Sequence, residues 1–299
     1  MSAGRQEHGS NEPAPSFTIR RATPADAGVC GTICYEAFRE IAERHNFPSD
    51  FPSPQAAADL LSSKFSHPGF FCVVAEQDGK IIGSNCLDER ASIAGLGPIT
   101  VDPAAQNRTA GRQLMRALIR RAAGQNLAGV RLIQSGYHNR SLSLYTKLGF
   151  TVQEPLACLH GVAMKKSLPG YRVRMAQAED FDACNALCQF VHKHTRSGEL
   201  LDAIRQGAAV VAESGGQITG YSSGIGFSGH AVGKTNEDLQ AMIAEAAAFS
   251  GPGFLVPTRN TGLFRWCLEN GLRVVQPMML MTMGLYSRPT GAYLPSCSF

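Results

Sequence analysis

An internal repeat limits the fold of this chain of 299 residues more than any other feature of its sequence. FTIRRATPADAGVCGTICYEAF (Phe17–Phe38) aligns with YRVRMAQAEDFDACNALCQFVH (Tyr171–His192), so that an Arg, an Ala, an Asp and two Cys recur at one constant offset. Two further echoes pair CVVAEQDGKIIGS with AVVAESGGQITGY and LYTKLGF with WCLENGL. Self-similarity of this kind indicates two copies of one structural unit. We therefore predict two similar domains, a first copy over residues 17–168 and a second copy over 171–299.

The order of elements in the first copy follows from its apolar periodicity and its turn residues. Alternating and continuous apolar runs predict strands, spacings of three and four predict helices, and Gln77-Asp78-Gly79 predicts a hairpin. The resulting order is β-α-α-β-β-β-α-β-α-β, with one strand ending at Ile99–Val101 and a helix opening near Gly111. Antiparallel hairpins followed by a βαβ crossover predict an α/β fold of the α+β type, with a mixed central sheet flanked by helices.

Composition excludes several classes of protein. Hydrophobic residues make up 44% and charged residues 17%, which is enough for a packed core. A net charge of +4, without a Lys/Arg run among aromatics, argues against a nucleic-acid partner. No apolar run is long enough to span a membrane. Residues 1–16 are polar, without the apolar stretch of a secretory signal, and are predicted to be a disordered leader.

The nine cysteines are an odd number and mostly lie within apolar patterns, which favours reduced core thiols and a cytoplasmic protein. Cys30 and Cys34 recur as Cys184 and Cys188, and such a pair on one helix face could offer two thiolates to a metal. No second pair with zinc-ligand spacing accompanies them. We therefore predict core packing for these cysteines and no metal site.

The stretch VDPAAQNRTAG, Val101 to Gly111, has the features of an anion site. A predicted strand ends, the chain turns, and a helix begins, so unpaired N–H groups and a partial positive charge face the turn. Phosphate binds at such a helix N-terminus, and the small residues Thr109, Ala110 and Gly111 would let it approach the backbone. An ordinary β-to-α loop with its capping residues remains the alternative.

Three motifs of this chain resemble those of the GNAT superfamily of acyl-CoA-dependent N-acyltransferases. They are Val-x-Pro, then Gln-x-x-Thr-x-Gly at the start of a helix, and LYTKLGF further along. The resemblance covers roughly residues 17–160 and implies acetyl-CoA as the co-substrate. It implies that the end of the preceding strand pairs with the pantetheine amides and that the loop amides hold the pyrophosphate. The residues carried over in this way are Ile99, Thr100, Val101, Gln106, Asn107, Arg108, Thr109, Ala110, Gly111 and Arg112. Thr109 departs from the family, which has glycine there; a threonine fits if that position is helical.

The same resemblance implies that Tyr145 protonates the departing thiolate, and that His138 or Asn139 contacts the cofactor. The general base is not evident, because the segment between Arg90 and Val101 has no Asp, Glu or His. Asp88 and Glu89 are the nearest carboxylates, with a solvated turn as the alternative. A water held by backbone carbonyls, or an amine that arrives neutral, could also replace a base.

The second copy lacks these residues, since Tyr145 aligns with Cys267 and no phosphate loop follows its hairpin. It is therefore predicted to be a degenerate domain that has a structural role or shapes the acceptor site or a homodimer. Gly224-x-Gly226-x-x-Gly229 spells a dinucleotide fingerprint, but the next helix begins only near Thr235-Asn236, too late for that motif.

The resemblance thus implies an N-acyltransferase that moves an acetyl group to a primary amine of a small acceptor by direct attack. The helices and loop at Tyr35–Asp59, with Phe47 and Phe51, are expected to wall the acceptor pocket. One alternative is a CoA-binding sensor without catalysis. The other is a nucleotide-binding protein that uses Gly224–Gly229.

Overall fold

The computed structural model describes residues 17–106 and 109–298. The elements of the first copy are β1 (Thr18–Arg21), α1 (Ala27–Arg44), α2 (Pro54–Ser66), β2 (Phe70–Gln77), β3 (Lys80–Asp88), β4 (Ile93–Leu96), β5 (Thr100–Val101), α3 (Ala110–Gly124), β6 (Gly129–Ser135), α4 (Asn139–Lys147) and β7 (Thr151–His160). This is the predicted order, with one strand divided into β4 and β5. Short 3-10 turns at Pro24–Asp26 and Pro103–Ala105 precede α1 and follow β5.

The second copy repeats the same order and adds one strand. Its elements are β8 (Tyr171–Met175), α5 (Phe181–His192), α6 (Ser197–Arg205), β9 (Val210–Ser214), β10 (Gln217–Ser222), β11 (Ala231–Gly233), α7 (Asn236–Glu245), β12 (Phe254–Pro257), α8 (Thr261–Glu269), β13 (Arg273–Gly284) and β14 (Ala292–Leu294). The order of elements therefore supports the repeat that the sequence predicts. The apolar tail also docks on the protein as its composition favours, because β14 pairs with β11.

The repeated residues make the same ion pairs in both copies. Arg20 binds Asp26 at the start of the first helix (2.8 Å) and Glu76 on β2 (2.7 Å). Arg174 binds Asp180 (2.7 Å) and Glu213 on β9 (2.7 Å) in the same way. In each copy the arginine links the first strand to its neighbouring strand and to the helix that follows. The residues of these ion pairs are the ones that recur in the first two sequence echoes.

The two copies exchange strands. The larger sheet runs β1-β2-β3-β4-β6-β13-β7-β12, with β5 paired to β3, and the smaller sheet runs β14-β11-β10-β9-β8. β13 lies between β6 and β7 and is antiparallel to both, while β12 pairs with β7 at the edge. The strand that follows the last helix of each copy, β7 or β13, thus pairs with the crossover strand of the other copy, β12 or β6. The chain boundary near Leu168-Pro169-Gly170 separates the copies in sequence, but the larger sheet belongs to both.

Helices cover the mixed sheet on both faces, as predicted for the fold class. α3 contributes Leu114, Met115 and Leu118 to one core, while α1 and α2 enclose another. Gly31 lets α1 and α2 approach closely, since a Cβ there would lie 2.4 Å from the Cα of Ala58.

The repeated cysteines lie in the cores, which confirms the packing prediction. Cys30 and Cys34 are fully buried between α1, α2 and the sheet, and Cys184 and Cys188 are fully buried in the second copy. Burial raises the pKa of Cys30 and of Cys184 to about 12, so both thiols stay protonated. Within residues 17–106 and 109–298, no helix is both long enough and apolar enough to cross a membrane.

Candidate functional site

The larger sheet opens between β4 and β6. β4 pairs in parallel with β6 only as far as Gly95 opposite Arg131. Gly97-Pro98, joined by a cis peptide bond, then separates β4 from β5, and β5 pairs with β3 alone. Gly83 permits that pairing, because a Cβ there would lie 2.5 Å from the carbonyl oxygen of Thr100.

The predicted single strand ending at Ile99–Val101 is therefore two strands. Thr100 and Val101 form β5, and Ile99 precedes it. Among the described residues, the edge of β5 that faces the opening pairs with no strand. Backbone amides on such an edge can pair with the amides of an extended ligand.

A cavity of about 1110 Å³ fills this opening and extends from the N-terminus of α3 to the loop between α1 and α2. The predicted cofactor residues that line it are Ile99, Thr100, Val101, Gln106, Thr109, Ala110, Gly111, Arg112, His138, Asn139 and Tyr145. Asn107 and Arg108 lie outside the described residues. The structure thus brings together, from β5, α3 and α4, the side chains that the sequence groups in two distant motifs.

Thr109 adopts a left-handed backbone conformation, with φ 65° and ψ −7°, directly before α3. The expectation that this position is helical is wrong, because α3 begins one residue later at Ala110. Left-handed conformations are rare for β-branched residues and common for glycine. The loop therefore has a backbone conformation typical of glycine at a position that carries threonine.

The N-terminus of α3 is open to an anion. Its first turn has no acidic residue, and the side chain of Thr109, the N-cap residue, makes no capping hydrogen bond within the described residues. The equivalent helix of the second copy, α7, is different: Asp238 accepts a hydrogen bond from the backbone N–H of Thr235 (2.8 Å), and Glu237 lies beside it. Carboxylates there satisfy the helix N-terminus and repel a phosphate, so only the first copy retains the electrostatics of a phosphate site.

Gln106 ties the loop before α3 to its neighbours. Its Nε2 donates to the carbonyl of Val101 (3.3 Å), and its Oε1 accepts from Arg140 on α4 (3.0 Å). The polar wall of the cavity is therefore cross-linked where β5, the loop and α4 meet.

Tyr145 lies on α4 and is buried in the cavity wall, 6% exposed. Burial raises the pKa of its phenol to about 12, so it holds its proton near neutral pH. His138 caps the same helix, and its Nδ1 lies 2.9 Å from the hydroxyl of Ser141. Burial lowers the pKa of His138 to about 4, which keeps this imidazole neutral. The α4 wall thus offers a protonated phenol and a neutral imidazole.

Asp88 and Glu89 do not line the cavity. Arg90 binds Asp88 (2.5 Å) and also Asp202 on α6 of the second copy (2.7 Å), while Glu89 pairs with Arg121 (2.7 Å). Both carboxylates are engaged by arginines at the far end of β3, so the geometry gives no support to the prediction that either is the base.

Asp50, which the sequence reasoning missed, is the cavity carboxylate without a salt bridge in the described part of the chain. Glu40, the other carboxylate that lines the cavity, pairs with Arg44. Desolvation raises the pKa of Asp50 to about 6. The available sequence signal was a lone acidic residue in the Pro- and Phe-rich loop FPSDFPSP, within the segment expected to wall the acceptor pocket.

The second copy lines the same cavity through Phe227, Ser228, Pro252 and Cys297. Phe227 and Ser228 belong to the glycine-rich stretch that spells the dinucleotide fingerprint, and α7 begins at Asn236, as the sequence predicts. This stretch is a wall of the first copy's cavity rather than a strand-to-helix phosphate turn. Within the described ranges, no group of three or more His, Cys, Asp or Glu could hold a metal.

Comparison with known proteins agrees with this geometry. Residues 35–150 match the model of the acetyltransferase (GNAT) family. A mycothiol acetyltransferase of Amycolatopsis mediterranei is 34% identical over 106 residues, which are 32% of this chain and 35% of that protein. The matched segment thus spans about a third of the relative's length.

Two solved structures resemble nearly the whole chain. A putative acetyltransferase from Pyrococcus horikoshii has a TM-score of 0.72 at 18% identity, covering 94% of both chains. A GCN5-related N-acetyltransferase from Sphaerobacter thermophilus has a TM-score of 0.60 at 14% identity, covering 91% of this chain and 97% of the other. These two likenesses concern the fold, and they include the second copy.

Proposed function

We propose that this protein transfers an acetyl group from acetyl-CoA to the primary amine of a small acceptor, as the match of residues 35–150 to the acetyltransferase (GNAT) family model supports. The observation that carries the proposal is the meeting of an uncapped helix N-terminus, an open strand edge and a buried phenol in one cavity. These features suit the pyrophosphate, the pantetheine amides and the departing sulfur of one extended thioester.

The phosphate end would bind at α3. The N–H groups of Ala110, Gly111 and Arg112 are in the first turn, where the helix dipole favours an anion. Thr109 and Gln106 lie beside them in the cavity wall. The pantetheine would lie along β5, whose free edge offers backbone groups at Ile99 and Val101.

At the reacting end, a thiolate leaves when the acetyl group is transferred, and it needs a proton. Tyr145 holds a proton at neutral pH and lies in the same cavity, so it is suited to protonate the sulfur. This role rests on burial and position and calls for no metal ligand.

The acceptor end is mostly apolar, and Asp50 is the carboxylate there that no described arginine or lysine pairs with. Phe38 and Phe51, which pack edge to face with centroids 5.6 Å apart, line it together with Phe227 and Met278. The predicted wall residue Phe47 instead stacks on Tyr137. An amine with a small apolar body suits this lining, and the name of the mycothiol acetyltransferase relative also points to a small-molecule acceptor. The second copy would then have the role of shaping the acceptor end.

The test begins with the phosphate end. Gly111→Ala adds a methyl group in ordinary contact with Val101 and Leu144 (3.7 and 3.8 Å) and controls for packing. Gly111→Glu should also fold, since a carboxylate in a first helical turn is favourable, but it opposes the pyrophosphate. We expect calorimetry to give an acetyl-CoA affinity at least about tenfold weaker for Gly111→Glu than for Gly111→Ala, or about 1.4 kcal/mol.

A panel of primary amines, with detection of free thiol, then tests transfer by the wild type. Equal affinities of the two variants would remove the proposed binding site. Tight acetyl-CoA binding without turnover of any amine would leave a CoA-binding sensor as the function.

A further inference from the structure

A polar chain inside the protein joins the acceptor end of the cavity to the second copy. Asp50 lies in the loop between α1 and α2, and its Oδ1 accepts a hydrogen bond from Nε2 of Gln276 on β13 (2.8 Å). The Oε1 of Gln276 in turn accepts from the hydroxyl of Tyr137, which follows β6 (3.1 Å). The ring of Tyr137 stacks on Phe47, with centroids 4.2 Å apart and planes 8° from parallel.

This chain fixes the direction of each hydrogen bond. The ionised carboxylate of Asp50 can only accept, so the amide N–H of Gln276 faces it, and the amide oxygen accepts from the phenol of Tyr137. Gln276 is completely buried, and a reversed amide would place its oxygen against the carboxylate. One oxygen of Asp50 is thereby held, and the other remains for a group in the cavity.

Gln276 lies on the strand face of β13 that reaches the cavity. It is two residues before Met278, so both buried side chains are on one face, and Met278 lines the cavity. A bulge at Val275 precedes it, where the register with β7 shifts between Val274, opposite Leu159, and Gln276, opposite Cys158. A polar side chain at this position of an apolar strand is thus directed at the acceptor end.

Resting on the proposed acetyl transfer, we propose that Asp50 takes the proton from the acceptor's ammonium group, and that Gln276 of the second copy is the positioning residue that holds it for this step. The acceptor nitrogen gives one proton to Asp50, and its lone pair forms the C–N bond as the C–S bond breaks. The sulfur takes the proton of Tyr145, which recovers the second proton from the nitrogen. Asp50 passes its proton to water, so the cycle releases one proton.

The titratable groups that surround Asp50 stay neutral near pH 6, so Asp50 is the group among them that changes charge there. Burial raises the pKa of Tyr137 and Cys158 to about 12 and that of Cys297 to about 11, and it also raises that of Cys34 on α1. These four groups are neutral in that range.

Charged or titratable side chains line the cavity on two sides: Arg112, Arg140 and Lys147 on α3 and α4, and others on α1 and the residue after it. Glu40 and Arg44 pair with each other, and His45 follows them. A histidine ordinarily titrates close to this pH, so a His45→Gln variant is needed to assign the acid limb of a rate profile.

The experiment is the pH profile of kcat/KM for the wild type, Gln276→Leu, Gln276→Glu and His45→Gln, on the best amine of the panel. The hydrogen bond from Gln276 lowers the pKa of Asp50. Gln276→Leu should therefore move the acid limb up by about one pH unit and lower turnover at least about tenfold. Gln276→Glu should move the limb further, because two neighbouring carboxyls share one proton. His45→Gln should leave the limb in place, and acetyl-CoA affinity should be unchanged throughout.

If Gln276 has only a structural role, Gln276→Leu would lower the rate at every pH without moving the acid limb of the profile. That result would overturn the inference, and the proposed acetyl transfer would still stand. A limb that disappears in His45→Gln would overturn it as well. Titration of the Asp50 carboxyl by carbon-13 NMR in the wild type and Gln276→Leu reports on the positioning contact without turnover. A wild type that acetylates no amine would instead overturn the proposed function, and the catalytic role of Asp50 with it.

Discussion

The Asp50 carboxylate should cost the fold stability at the pH where the protein works. Desolvation raises its pKa to about 6, against 3.8 for an ordinary aspartate, so the folded state binds the proton more tightly than the unfolded state. A shift of about two units corresponds to about 3 kcal/mol as an upper bound. Because the carboxylate faces an open cavity rather than a closed core, we expect about 1–2 kcal/mol.

Asp50→Asn removes this cost and keeps the oxygen that accepts from Nε2 of Gln276. Below pH 3.8 both states of the wild type are protonated, and the two proteins should unfold alike. As the pH rises to about 6, the unfolded wild type ionises first, so its stability falls relative to Asp50→Asn. Above about pH 6 both states are ionised, and the difference should be constant.

Urea denaturation at a series of pH values between 4 and 8 measures this difference. Asp59→Asn is the matched control, since Asp59 is an exposed carboxylate on α2 that accepts from Gln55. We expect Asp50→Asn to be more stable than the wild type above pH 6 while it loses turnover. Equal stability at pH 8, or a difference that does not change with pH, would refute the reasoning.

Three further predictions concern other parts of the site and the fold. Tyr145→Phe keeps the ring and should bind acetyl-CoA normally while turnover falls at least about tenfold; a fully active variant would mean that another group protonates the sulfur. Acetyl-CoA should protect amides of 99–106 and 109–112 from hydrogen exchange and leave 224–236 unchanged, whereas protection centred on 224–236 would favour nucleotide binding by the second copy. Arg90→Ala strands the buried Asp88 and should destabilise the protein by about 3 kcal/mol in urea denaturation, while the exposed Arg39→Ala should change little.

The secondary-structure elements and their repetition follow from local sequence patterns. Strands and helices have periods of two and 3.6 residues, and turn residues mark their ends, so this information is local. The order β-α-α-β-β-β-α-β-α-β, the burial of Cys30 and Cys34, and the helix opening beside Gly111 were all readable in this way. The predicted cofactor residues in the described ranges also meet in one cavity, because both motifs lie at ends of elements that flank one opening of the sheet.

Which elements meet depends on long-range packing. The strands β7 and β13 have similar apolar patterns, so the sequence does not show which of them pairs with β6. In the folded protein β13 lies between β6 and β7. That choice brings Gln276 to Asp50, 226 positions away in the chain, and no local pattern encodes such a contact.

Local conformation and charge pairing were decided in the same way. Thr109 is left-handed although threonine disfavours that conformation, so its own propensity does not predict it. Asp88 and Glu89 appear available in the sequence, but Arg90 and Arg121 reach them once β3, α3 and α6 are packed together. Among the described residues, the cavity carboxylate without a salt bridge is therefore Asp50, since a side chain's access to a site depends on its distant neighbours in the fold and not on its neighbours in the chain.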